Sequence, residues 1–273
     1  FQAYYVEKFL KSVSFEVFIF MHYVVTEIAR RPSFKPQLFN KWLYFTLFFG
    51  RPSVKKIVYS ESIAQNINKY LLNYNEVLFC NHPYDFDGFK ALDTQKRDNS
   101  ELNLVFPGEG RIDKGLLDFI ELERAFNNKK NISFSIAGKT LLDKEIYLGS
   151  GVDYISSNEL ITDQQYKVRM EKADYFVLLH NPEMYKYIYS GVLLDAIKFQ
   201  VPIIAIQNPV FNEFFKRYGH IGYLLDSIIE VKDLIGYLHH NCDDQYEKYL
   251  ENIRRISKQY EKHTIDSIRA VLQ

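Results

Sequence analysis

At 273 residues the chain exceeds a typical single domain and can bury one large core or two modest ones. Hydrophobic residues at 47% and charged residues at 25% exclude a disordered or fibrous chain. The 34 basic residues balance 34 acidic ones, so no global field draws the chain to nucleic acid.

Taken in order, apolar runs alternate with helical patterns, which predicts an α/β fold with parallel strands. Phe15–Val25 (FEVFIFMHYVV) reads as a buried strand, followed by the aromatic stretch Phe39–Phe49. The first 60 residues hold nine Lys/Arg against Glu7, Glu16 and Glu27, a net of +6 that leaves −6 to the rest. Such a front end suits peripheral contact with anionic lipid or a phosphate-bearing acceptor, and equally a solvated surface with an accidental excess. Val54–Tyr59 is a second strand, Ser60–Asn73 a helix, and Glu76–Cys80 a third strand running into Asn81-His82-Pro83. Residues 84–100 are polar and unpatterned and read as an interdomain linker.

A second α/β series then opens. It takes Leu102–Phe106 as a strand, Leu116–Asn127 as a helix, and Ile132–Ala137 and Val152–Ile155 as strands. Gln164–Lys172 reads as a helix, Tyr175–Leu179 as a strand, Ser190–Phe199 as a helix and Val201–Ile206 as a strand. Ile228–His239 is helical, and so is Asp243–Gln273 with its three- and four-residue apolar spacing. Cys80 and Cys242 supply neither a disulfide framework nor a paired-thiol metal site and fit a reducing cytoplasmic setting. No signal-peptide pattern opens the chain, and no run of about 18 apolar residues predicts a spanning helix.

The strongest local signal is Phe106–Gly115, FPGEGRIDKG, between a strand and a helix. Gly108 and Gly110 let backbone amides approach an anion, and Arg111 and Lys114 add cations suited to a diphosphate. Glycine at a strand–helix turn also serves geometry alone. The second signal is Tyr185–Ala205, where Ser190 and Gly191 stand at a helix start. Ser190 can cap free amides or help present them to a phosphate. Asp195 can accept from ribose hydroxyls, or be only a helical surface charge. His82, His180 and His220 are scattered without acidic partners at metal-ligand spacing, and His239-His240 is a solvated pair. Asp85 and Asp87 lie in the linker and not at a strand end, so no metal site is expected.

In order, FPGEGRIDKG, FSIAGK (Phe134–Lys139), ADYFVLLHNPE (Ala173–Glu183) and SGVLLDAIKFQVPIIA (Ser190–Ala205) resemble the C-terminal lobe of GT-B glycosyltransferases. The likeness is to the family-four retaining enzymes, the group 1 glycosyl transferases, and covers nearly all of residues 101–255. Thinner likeness reaches forward, where FEVFIFMH matches a family strand ending in a histidine close to the transferred sugar, here His22. The resemblance implies two Rossmann-like lobes. Residues 1–83 would be an N-terminal acceptor lobe, incomplete because the chain opens at Phe1. Residues 101–255 would be the donor lobe, and 256–273 a helix crossing back.

By position, Lys114 is similar to the lysine that contacts the donor diphosphate, with Arg111 as its displaced partner. His22, Arg111 and Lys114 would then carry catalysis. Gly108, Gly110, Ser190 and Gly191 would bind the donor, with Asp195 on ribose and Tyr187 at the first position of the Glu-x7-Glu motif. Two departures stand out: Glu109 follows the first glycine where relatives carry arginine, and Tyr187 replaces a carboxylate.

The implied activity is metal-independent hexosyl transfer with retention from a UDP- or GDP-sugar, without other cofactor. The hydroxyl acceptor would be a saccharide, lipid-linked or protein-linked, in polysaccharide or glycoconjugate synthesis, with the enzyme cytoplasmic or peripheral at the inner membrane face. The competing reading is a non-catalytic, glycosyltransferase-like partner. A sugar-nucleotide epimerase would need a carboxylate cluster, and a phosphorylase a cofactor lysine in a longer chain.

Overall fold

The computed structural model describes residues 17–21, 54–70, 77–86, 101–140, 144–156 and 161–273. His22 and the aromatic stretch Phe39–Phe49 lie outside the described residues. The chain divides into two compact units. One comprises Phe1–Pro83, Met184–Tyr189 and Lys262–Gln273, the other Tyr84–Glu183 and Ser190–Glu261.

Unit one is built on a parallel sheet of strands β1 (Val17–Phe20), β2 (Val54–Val58) and β3 (Val77–Phe79), in that spatial order. Helix α1 (Glu61–Tyr70) links β2 to β3. It starts at Ser60, whose hydroxyl accepts from the Ile63 amide at 3.4 Å, and buries Ile63, Ala64 and Ile67 at helical spacing. The returning segments are knit into this unit by polar and ring contacts. Asn66 donates to the Lys186 carbonyl at 3.1 Å, and the Asn81 amide donates to Ser267 Oγ at 3.0 Å. His82 lies between the rings of Tyr59 and Tyr189, at 4.5 and 5.2 Å. Cys80 is buried, which pushes its thiol up to about 11 and keeps it unreactive.

Unit two opens with β4 (Leu102–Phe106), a 3₁₀ turn at Ile112–Lys114 and helix α2 (Leu116–Phe126). There follow β5 (Ile132–Lys139), β6 (Asp153–Ile155), α3 (Asp163–Glu171), β7 (Tyr175–Leu178) and the short α4 (Pro182–Tyr185). Then come α5 (Val192–Phe199), β8 (Ile203–Ile206), α6 (Pro209–Tyr218), β9 (Gly222–Leu225), α7 (Ile228–His240) and α8 (Tyr246–Leu272), with the end of α4 from Met184 and the end of α8 from Lys262 counted in unit one. The strands form one parallel sheet in the order β6-β5-β4-β7-β8-β9. All of β7 is buried, as strands covered by helices on both faces must be. Leu104, Phe106, Phe119, Phe134, Ile136, Val177 and Ile204 make the centre of one core.

The sequence reading did not include α6 or β9. Helix α6 is set by Asn208, whose side chain accepts from the Val210 and Phe211 amides at 3.1 and 3.0 Å, with Pro209 in the first turn. Helix α8 presents Leu250, Ile253, Ile256 and Tyr260 as one buried stripe. Just before it, Asp243 accepts from the Tyr175 hydroxyl of β7 and, at 2.8 Å, from the Tyr223 hydroxyl of β9. No helix among the described residues is long and apolar enough to cross a membrane.

Asp243→Ala should lower unfolding free energy by about 2 kcal/mol, because the fully buried Tyr175 hydroxyl loses its acceptor. Tyr223→Phe, at a half-buried ring, should cost clearly less. Urea midpoints of the two variants check this, and an unchanged midpoint for Asp243→Ala would remove the anchor from the account.

Candidate functional site

The strand order places a topological switch between β4 and β7: the chain leaves β4 toward β5 on one side and returns through β7 on the other. Ligands in open parallel sheets bind at such a point, beyond the carboxyl ends of the strands. The glycine turn 107–111 and the residues after β7 meet there.

Close backbone approach shapes the turn. Gly108 has φ +74°, its carbonyl accepts from the Gly138 amide at 2.9 Å, and the Gly110 amide donates to the Lys139 carbonyl at 2.9 Å. A Cβ on Gly138 would lie 2.4 Å from the Gly108 oxygen, so glycine at 138 is a steric requirement. Gly115, at φ +83°, ends the 3₁₀ turn, and a Cβ there would lie 2.2 Å from the Leu179 carbonyl. These contacts bring the turn against the ends of both neighbouring strands.

The cations differ in their engagements. Arg111 donates to its neighbour Asp113 through Nε at 2.9 Å and Nη2 at 2.5 Å. Lys114 folds back over Gly108, its Nζ within 3.2 Å of where that residue's Cβ would stand. It makes no ion pair among the described residues. Burial lowers its pKa, the Arg111 charge lowers it further, and Asp113, Glu109 and Asp195 partly offset both. A desolvated ammonium beside a second cation is a place where an added anion is stabilised.

Helix α5 begins against the turn, with a Val192 methyl 3.4 Å from the same Gly108 position. Its N-cap is Gly191, where a Cβ would meet nothing within 4 Å, so packing does not demand glycine. Ser190 does not cap α5 with its side chain. Its hydroxyl is bonded instead to His180 Nε2 at 3.1 Å. His180, on the loop leaving β7, is buried and set edge-on to Phe211. Burial first, then the charges of Lys114 and Arg111, holds its pKa well below the ordinary imidazole value, so it is neutral.

Asp195 is neither a plain surface charge nor an open acceptor. Its oxygens accept from the hydroxyls of Tyr84 and, at 3.4 Å, Tyr166. Burial raises its pKa, opposed by those two hydrogen bonds and by Lys114 and Lys198.

Gly108, Gly110, Arg111, Lys114, Ser190, Gly191 and Asp195 thus belong to unit two, whereas Tyr187 belongs to unit one. Tyr187 is buried, with Lys186 Nζ 5.4 Å from its ring centroid. Sequence reasoning missed Tyr84, Tyr166, His180 and the Asp113 partner of Arg111. Only the last was accessible, as a neighbour of opposite charge two residues on. No cluster of metal-ligating side chains occurs among the described residues.

Neither a protein-family model nor a curated protein sequence matches the chain. Solved structures do. The chain is similar to TarM over 94% of its own length and 50% of that chain, at 14% identity and TM-score 0.67. A TarM mutant of S. aureus in complex with fondaparinux, alpha-GlcNAc-glycerol and UDP matches over the same shares, at 14% identity and TM-score 0.64. A trehalose-6-phosphate synthase, studied for glycosyltransfer with retention, matches over 99% of this chain and 71% of that one, at 10% identity and TM-score 0.66. The chain therefore spans about half the length of the TarM structures it matches. At these identities the likeness shows the fold: an α/β architecture of parallel sheets, shared with GT-B glycosyltransferases.

Proposed function

We propose that the chain is a glycosyltransferase that holds a nucleotide-diphosphate sugar, UDP- or GDP-linked, where β4 and β7 end. It would transfer the sugar with retention and without metal to a saccharide, lipid-linked or protein-linked hydroxyl. The observation that carries the reading is Lys114: a desolvated ammonium, folded over the glycine turn beside Arg111, at the topological switch. A departing nucleoside diphosphate needs its developing charge neutralised by groups already in place. Lys114 and Arg111 would supply charge, and the first amides of α5 at Gly191 would supply aligned donors. Binding would draw Arg111 from Asp113 or share it with the phosphate. Retention follows the family resemblance, and the complex of a TarM mutant with UDP supports a uridine nucleotide as the first donor to try.

A second reading has its own support. Both oxygens of Asp195 are engaged by tyrosines, and Tyr187 stands where relatives carry a carboxylate, which fits a partner subunit that binds nucleotide without turnover. The two readings separate when the protein is incubated with UDP- and GDP-sugars and nucleotide release is followed alongside thermal stability. Stabilisation by nucleotide with no donor consumed, whatever the acceptor, would leave only the second. Lys114→Ala should weaken nucleotide affinity roughly 10- to 100-fold and abolish the thermal shift at modest ligand concentration. Equal affinity in the variant would remove the phosphate site.

The buried imidazole gives a pH signature. The unfolded chain protonates His180 below about pH 6.5, while the folded chain, with its lowered pKa, does not. Its contribution to stability is therefore complete above that pH and is lost as pH falls. The melting temperature should drop from pH 7 to pH 5, and the drop should be shallower in His180→Gln. Parallel profiles for the two proteins would show that His180 is not held neutral.

A further inference from the structure

Asp195 sits in the first turn of α5, near Lys114, with its carboxylate between two phenols. The phenols are held differently. Tyr166, on α3, is part of the frame: its ring packs edge-on to Phe199. It therefore ties α3 to α5. Tyr84 opens unit two, and residues 84–86 carry no helix or strand. It is held by side chains: Lys198 Nζ stands 5.6 Å from its ring and donates to the Asp85 carbonyl at 2.9 Å. Phe86 packs on the Tyr84 ring at 4.9 Å and on Tyr260 at 5.7 Å.

A carboxylate that accepts from a phenol can accept from a ribose hydroxyl in the same way, because both are neutral O–H donors to a charged oxygen. The two cannot share one lone pair in a half-buried site. We propose that the Tyr84 hydroxyl is an internal competitor for the donor site, taking on Asp195 the place of the nucleotide's ribose diol, so that nucleotide binds by displacing Tyr84 while Tyr166 stays. This rests on the donor-site reading above and sharpens it, since it makes affinity depend on a contact that the phosphates never touch. The diphosphate half of the ligand, held at Lys114 and Arg111, does not compete with Tyr84; the nucleoside half does.

Tyr84→Phe removes only the competing hydroxyl and keeps the ring on Lys198 and Phe86. Calorimetric titrations of wild type and variant with UDP, GDP and inorganic pyrophosphate test the idea. The tighter-binding nucleotide should gain roughly ten-fold in affinity in Tyr84→Phe, while pyrophosphate, which lacks ribose, should be unchanged within about two-fold. Tyr166→Phe should bring no gain. In an Asp195→Asn background the Tyr84→Phe gain should vanish, because the shared acceptor has lost its charge. An unchanged or weakened nucleotide affinity in Tyr84→Phe overturns the proposal, as does an equal gain for pyrophosphate, which would report general loosening. If pyrophosphate and nucleotides bind wild type and the Tyr84→Phe gain is absent, only this inference falls. If none of the three binds either protein, the donor-site reading falls with it.

Discussion

The site depends on how near the polypeptide backbone can come to itself at the ends of β4, β5 and β7. Gly138 lies under the Gly108 carbonyl and Gly115 against the Leu179 carbonyl, at separations no Cβ could occupy. Both contacts are backbone to backbone, so neither can be relaxed by moving a side chain. An alanine at either position would push the turn off the sheet and carry Arg111 and Lys114 with it. The electrostatics follow from this. Lys114 is desolvated where the turn is pressed onto the strands, and its Nζ and a Val192 methyl of α5 both pack at Gly108.

That compression also explains the chemistry of the neighbours. His180 is buried behind the two cations and stays neutral, so it cannot add a third positive charge and serves as a hydrogen-bonding post for Ser190. Asp195 would offset Lys114, yet it is itself partly desolvated and leans on two phenols to stay ionised. Asp113 is the most direct counter-charge, chelated by Arg111 through both nitrogens. A desolvated ammonium beside a second cation favours negative charge at this end of the sheet.

The sheet of unit two was largely legible in the sequence, because two-sided apolar runs such as Tyr175–Leu178 have few other destinations. The glycine turn was legible too, since steric demands on the backbone are written in residue identity. Helix α6 was missed although Asn208-Pro209 carries a start signal, and β9, four residues beginning with Gly222, is too short for a period to register. What the sequence could not show is pairing at distance. Ser190 reads as a cap from local rules, and its hydroxyl is instead captured by His180 across a loop. Tyr84 lies 111 residues from Asp195 and Tyr166 lies 29 away, and nothing in either neighbourhood marks a hydroxyl destined for a carboxylate.

The residue type at 195 fits the tyrosines that reach it. An aspartate is one methylene shorter than a glutamate, so its carboxylate sits nearer the α5 backbone and reaches less far outward. A retracted, half-buried carboxylate needs donors brought to it, and Tyr166 and Tyr84 are long side chains that reach in from α3 and from the stretch opening unit two. Once such donors are in place they stabilise the ionised form against desolvation, which the nearby Lys114 alone would do only in part. The short acid and the two long phenols thus complement one another across α5, α3 and the first residues of unit two.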